Sequence, residues 1–190
     1  NINDCIYVAG SPELNFKAVN LAIKNKIPLI LEKPIGNTLE SVEKIKLLVN
    51  KYNLIIIPNL TNYFSDSFFY LKNYVDKNFD EIKRIIIFEG ANGPYRKNIH
   101  PIWDWGFHSF STLLKIFENK KFSKIIKTEI KNNKTQTNGT ITRFNFSVES
   151  KFEVKLINGN LFKHKLRKFK IILKNNNVLE SNMINHKIYL

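Results

Sequence analysis

Apolar and polar positions follow two different rhythms along this chain. In the first third, short continuous apolar runs at residues 5–9, 27–31 and 54–57 read as buried strands, the run at 27–31 as one covered on both faces. Helical spacing fills the gaps between them. Phe16, Val19 and Ile23, with Ala18 and Ala22, share one helix face. Leu39, Val42, Ile45, Leu48, Val49 and Tyr52 share another, and Asn37 with Glu40 three residues on predicts a capping box at its start. Strand, helix, strand, helix, strand is the pattern of a doubly wound parallel sheet, an α/β architecture.

The rhythm changes after residues 59–62. A helix is predicted over roughly 65–75, a strand over 82–88, a loop over 90–102 and an amphipathic helix over about 104–117. Gly90, Gly93, Pro94 and Pro101 punctuate that loop. From about Lys121 onward the period becomes two: Phe144, Phe146 and Val148, then Phe152, Val154 and Leu156. Asn158-Gly159 predicts a two-residue hairpin turn, and Asn175 to Asn177 a further turn after a strand at 169–173. The asparagines at 132–133 read as a loop. This part is predicted to be an α+β layer with an open, mainly antiparallel sheet, so the chain divides into residues 1–62 and 63–190.

Composition adds several exclusions. Thirty Lys+Arg against sixteen Asp+Glu give a net charge of +14 over 190 residues, which raises the question of nucleic acid. Only Arg84, Arg96, Arg143 and Arg167 are arginines, and the lysines are dispersed along the whole chain. Dispersed charge reads as a solvated surface, and no nucleic-acid partner is expected. The single cysteine, Cys5, excludes a disulfide framework within the chain. No apolar run approaches the roughly 18 residues of a membrane span, and no charged-then-apolar leader pattern is visible, so a cytoplasmic protein without membrane contact is expected. No Cys/His grouping has metal-ligand spacing, and no metal is expected.

Three short segments carry candidate chemistry. Glu32-Lys33-Pro34 follows a predicted parallel strand, at the sheet edge where open α/β sheets bind ligands. Pro34 restricts the backbone of Lys33, whose ammonium can bind a cofactor or share in proton transfer; an exposed lysine in a turn is the plain alternative. Ala9-Gly10-Ser11-Pro12 ends the first strand likewise, and Gly10 allows close backbone approach. Asp104-Trp105-Gly106-Phe107-His108 spaces a carboxylate and an imidazole four apart, on one face of an α-helix. A histidine there can act as general base; an Asp N-cap beside a buried, satisfied histidine is the competing reading. His100 lies in the preceding loop and can line a pocket, while His164 and His186 stand alone.

The order of these segments resembles one family, the glucose–fructose oxidoreductase and inositol dehydrogenase (Gfo/Idh/MocA) oxidoreductases. Asp4 through Pro12 is similar to its fourth Rossmann strand and following loop. Leu29-Ile30-Leu31-Glu32-Lys33-Pro34 is similar to its fifth strand and Glu-Lys-Pro signature. Gly93-Pro94-Tyr95-Arg96 through His108 is similar to the catalytic segment of its second domain. Ile157-Asn158-Gly159 and Lys165-Leu166-Arg167 resemble later strands of its open sheet. The resemblance implies the C-terminal half of a Rossmann NAD(P)-binding domain, followed by an α+β domain for substrate binding and oligomerisation. It implies Lys33, Asp104 and His108 as catalytic residues; Gly10, Pro12, Glu32, Lys33 and Pro34 at a cofactor, NAD or NADP; and Arg96, Trp105 and His108 toward substrate. The implied reaction is hydride exchange at a carbinol of a sugar, cyclitol or nucleotide sugar, in a homo-oligomer joined through the second sheet.

The family's Gly-rich dinucleotide fingerprint is missing, since no G-x-G-x-x-G occurs anywhere. The absent βαβαβ half amounts to roughly 60 residues at about 30 per βαβ unit. A piece of a longer product is therefore expected, unable by itself to bind NAD or NADP. A partner subunit or scaffold that kept the fold without the cofactor half is the alternative. Asn15 stands where the family often has His, residues 59–64 lack its frequent Arg, and Ser109 stands where Asp is frequent.

Overall fold

The computed structural model describes residues 4–96, 99–131 and 139–190. The asparagines at 132–133 lie outside the described residues. The chain forms two compact units, Asn1–Leu60 and Thr61–Leu190.

In the first unit, β1 (Ile6–Val8), β2 (Leu29–Leu31) and β3 (Ile56–Pro58) form a parallel sheet in that order. Helices α1 (Pro12–Asn25) and α2 (Leu39–Tyr52) make the two crossovers. Val19, Ala22 and Ile45 from the helices close over Leu29 and Leu31, with Ile6, Val8 and Ile56 packed alongside. The register places Tyr7, Ile30 and Ile57 in a row on the opposite face, where Tyr7 is 53% and Ile57 50% exposed. The expectation of buried strands therefore fails on this face of β1 and β3, while Ile30 of the central β2 stays half-buried. Two successive crossovers run in the same direction, and right-handed connections then place both helices on one face.

The cap of α2 also differs from the sequence reading. Thr38, in extended conformation, accepts a hydrogen bond from the Ser41 N–H at 3.1 Å, and Ser41 Oγ returns one from the Thr38 N–H. Asn37 instead donates to Glu13. The box is thus Thr-x-x-Ser, one residue later than Asn37 and Glu40 suggest.

The second unit opens with α3 (Asp66–Asn78), capped by Ser65, whose Oγ accepts from the Phe68 N–H. Then come β4 (Ile82–Asn92), a π-helical turn (Ile102–Gly106) and α4 (Phe107–Ile116). The remaining strands are β5 (Phe122–Lys131), β6 (Thr140–Val148), β7 (Phe152–Gly159), β8 (Leu161–Leu173), β9 (Val178–Asn182) and β10 (Lys187–Tyr189). They form one sheet in the order β10-β9-β8-β4-β7-β6-β5, antiparallel except for the β4–β7 pair. Helices α3 and α4 cover one face, burying Phe68, Leu71, Leu113 and Phe117 against Ile85, Ile87, Phe146, Val154, Leu156 and Phe169. The period-two rows of β6 and β7 are those that face this core.

Asn158-Gly159 does not form a hairpin. Strands β7 and β8 lie on opposite sides of β4, and the chain passes over the end of β4 through Asn160. The crossing is tight: a Cβ on Gly90 would lie 2.1 Å from the Gly159 carbonyl oxygen. Gly159 has φ +152°, and a Cβ there would meet the Thr140 carbonyl oxygen at 2.0 Å. A close backbone crossing and a reversing turn both ask for Asn-Gly, so the dipeptide alone does not distinguish them. The turn at Asn175 to Asn177 joins β8 to β9 as the sequence suggests, the Leu173 N–H donating to Asn177 O. No helix among the described residues is long and apolar enough to cross a membrane.

Candidate functional site

In the first unit, polar groups gather where the three parallel strands end. Tyr7 donates its phenol proton to Glu32 Oε1 at 2.5 Å, and Asn59 Nδ2 donates to the same oxygen at 2.5 Å. The phenol bond, against some opposing desolvation, and the Asn59 bond hold the Glu32 carboxyl below its usual range, and Lys33 adds to this. The same bond pushes the Tyr7 phenol up, because it favours the protonated phenol. Lys33 is half-buried and Pro34 buried, joined by a cis peptide bond. Asn15, fully buried on α1, donates to the carbonyls of Pro34 and Ile35 and pins the Glu-Lys-Pro loop to that helix. Pro12 is the buried first residue of α1, and Gly10 is exposed in the loop before it.

These groups fit part of a nicotinamide nucleotide. A carboxylate, an amide, a phenol and an ammonium suit its hydroxyl- and amide-bearing end. A diphosphate needs bare backbone N–H groups at a glycine loop, and this chain has no such loop.

In the second unit, Asp104 lies within the π turn and His108 in the first turn of α4. The reading of Asp104 as a helix N-cap is thereby corrected: α4 follows directly from the π turn, with Gly106 preceding its first residue and making no side-chain cap. Asp104 is 16% exposed, and its Oδ2 lies 3.5 Å from Arg96 Nε. His108 and Trp105 are half-buried. Trp105 Nε1 has no hydrogen-bond partner among the described residues. His100 takes another role: its Nδ1 accepts from the Ile102 N–H, and its Nε2 lies 2.8 Å from Glu129 Oε1. An accepting Nδ1 leaves the proton on Nε2, so the ring ties the start of the π turn to β5. Burial pushes the Glu129 carboxyl up, but Lys127, His100 and Lys131 outweigh this and leave it below the usual range. His164 is exposed, whereas His186 is not alone, its Nδ1 lying 3.0 Å from Ser67 Oγ.

Beneath the π turn the sheet changes character along one row. Glu129, Thr142, Asn158, Glu89 and Arg167 are direct cross-strand neighbours on β5, β6, β7, β4 and β8. They continue the core-facing positions of Ile85, Ile87, Val154, Leu156 and Phe169, yet all five are polar. Glu89 is 1% exposed and receives Arg167 Nε at 2.7 Å. Arg167 Nη1 donates to Asn62, and Ser109 Oγ, fully buried in α4, lies 3.5 Å from Glu89 Oε2. Asn158 is fully buried with neither amide atom bonded among the described residues, and its Nδ2 would lie 3.1 Å from a Cβ on Gly106. Beyond Arg167 lies a cavity of about 610 Å³ lined by Asn62, Ser65, Lys165, Arg167 and His186; it includes neither Asp104 nor His108. Sequence reading missed this row. Its signal was present: the period-two runs of β4, β6 and β7 each turn polar at one end while keeping core-facing parity.

No family model matches the sequence, and no curated protein matches it. Solved structures do. A dehydrogenase from Chromobacterium violaceum matches with a TM-score of 0.80 and 17% identity, over 95% of this chain and 54% of that one. UDP-N-acetylglucosamine 3-dehydrogenase from Acidithiobacillus ferrooxidans matches at 0.75 and 12%, over 97% and 59%. Scyllo-inositol dehydrogenase from Lactobacillus casei matches at 0.71 and 18%, over 93% and 55%. The chain has the fold of these dehydrogenases. It spans between 54% and 59% of their lengths. They are of the kind the sequence motifs resemble, and at these identities the shared property is the fold. Within this fold, Lys33 follows a parallel strand of the first unit, Asp104 lies in the π turn before α4 of the second, and His108 lies in the first turn of α4.

Proposed function

We propose that this chain is part of a nicotinamide-dependent dehydrogenase acting on a carbinol of a sugar, a cyclitol or a nucleotide sugar. The observation that carries the reading is the likeness, across nearly the whole chain, to dehydrogenases whose names include an inositol and a nucleotide sugar. A bound nicotinamide supplies the hydride acceptor or donor. The protein's part is acid–base and electrostatic. His108, at the start of α4, takes the hydroxyl proton as the carbinol is oxidised and returns it in the reverse direction. Asp104 orients substrate or imidazole, and Arg96 and Trp105 face substrate. In the first unit, Gly10, Pro12, Glu32 and Pro34 line the cofactor, and Lys33 is a fixed cation of the kind that stabilises a developing alkoxide. The test is formation of reduced nicotinamide by the intact protein with inositols, hexoses and uridine-diphosphate sugars, each with NAD and with NADP. Turnover with at least one class is expected. A protein that binds cofactor and turns over none of them overturns the reading.

The sheet face opposite α3 and α4 bears Ile86, Phe88, Ile157 and Ile172 among Arg84, Lys155 and Lys170. A second copy of the protein is proposed to cover it. Sedimentation equilibrium should show a dimer or higher order that Phe88→Glu shifts toward monomer. A monomer at every concentration tested, or an oligomer unmoved by the substitution, removes this face from consideration.

A further inference from the structure

We infer that Glu89 is a positioning residue for His108, acting from the sheet through Ser109 and the first turn of α4. The inference rests on the acid–base role proposed for His108, but its first test does not.

A carboxylate that is 1% exposed is expensive to keep in a core, and it persists only where its charge and lone pairs are answered. Glu89 is answered from two directions. Arg167 Nε, on the neighbouring strand, meets Oε1 at 2.7 Å, and Ser109 Oγ approaches Oε2 at 3.5 Å from the helix above. Ser109 directly follows His108, so the carboxylate reaches the turn that carries the imidazole. Asn158, the cross-strand neighbour of Glu89 on β7, packs against Gly106 just before that turn. Arg167 is in turn held by Asn62, which fixes the far side of the row. Glu89 is thus the charged member of the row set under α4, and Arg167 stands one strand further along. An apolar side chain would complete the inner face of β4 after Ile85 and Ile87 more simply. A carboxylate here instead meets α4 through the Ser109 hydroxyl at 3.5 Å and places negative charge beneath it.

The experiment follows the four histidines of this chain by NMR titration in wild type and Glu89→Gln. Glutamine keeps the shape, an oxygen to accept from Arg167 and an amide N–H to offer the Ser109 hydroxyl oxygen, but removes the charge. The His108 imidazole is expected to titrate lower by about 0.5–1 unit in Glu89→Gln, while His164 is unmoved. Unchanged titration of His108 in a folded variant overturns the proposal. Should the lone Arg167 charge prevent folding, Glu89→Gln with Arg167→Gln removes both charges. His108 must still titrate lower there, because the carboxylate is the charge nearer to α4. A second arm uses the intact enzyme. The pH–rate profile of Glu89→Gln should move with the imidazole, and kcat should fall while KM holds. A moved imidazole in a protein without dehydrogenase turnover would leave the positioning link standing and overturn only the catalytic reading.

Discussion

Arg167→Ala is expected to destabilise the second unit by about 3–5 kcal/mol, a large fraction of the roughly 5–15 kcal/mol that keeps a domain folded. Arg167 is 15% exposed where it lines the cavity and Glu89 1%, so the carboxylate lies within the core and the guanidinium at its edge. Truncating the arginine removes the ion-pair partner of a carboxylate that sits beside Ile87, Phe169 and the underside of α4, and water reaches that carboxylate only from the cavity that Arg167 lines. It also frees Asn62. The penalty belongs to the stranded charge and not to the pair as such. Glu89→Leu combined with Arg167→Met should therefore recover most of the loss, since apolar replacements of similar volume often equal a buried pair in stability. The stranded carboxylate also takes up a proton more readily when buried, so Arg167→Ala should lie closer to wild type in acid than at neutral pH. Urea unfolding at the two pH values reads all three comparisons. A single variant within about 1 kcal/mol of wild type would show that the row does not behave as a buried ion pair.

The dual rhythm of the chain was enough to read the two kinds of sheet, because burial imposes it directly. Val19 and Ala22 lie on the helix face that packs on β2, and Phe144, Phe146, Val154 and Leu156 face the helices. What the sequence hid were facts settled by tertiary partners. Tyr7, Ile55 and Ile57 look like core residues locally, yet they stand on a face that α1 and α2 do not reach. Asn158-Gly159 has turn chemistry, but the insertion of β4 between β7 and β8 depends on pairings far apart in sequence. The Asp104–His108 spacing was visible, whereas the π turn that holds Asp104 was not, since an i,i+4 pattern presupposes regular α geometry. The polar row under that turn was legible residue by residue. Glu89, Thr142 and Asn158 each break an apolar alternation at a core-facing position, but only the register shows that they meet.

On the acid–base role proposed for it, His108→Ala is expected to lower turnover of the intact protein by about 10²–10⁴-fold with little change in stability. The stability half follows from the structure. His108 is half-buried in the first turn of α4, and alanine is the better helix former. A structural histidine would give the opposite pattern, with melting lowered and activity lost only as protein is lost. The turnover half follows from the chemistry. Removing a hydroxyl proton as hydride leaves the same carbon requires an acceptor near neutral pKa, and water is a poor substitute. The wild-type rate should rise with pH through the imidazole range in the oxidation direction, because only neutral imidazole accepts a proton. That limb should vanish in His108→Ala, leaving a flat or hydroxide-dependent profile. Asp104→Asn should keep the limb and move its midpoint, since an orienting carboxylate alters the base without being it. Turnover within tenfold of wild type, with the limb intact, would return His108 to the role of an ordinary helix residue. The proton would then have to be assigned to another group.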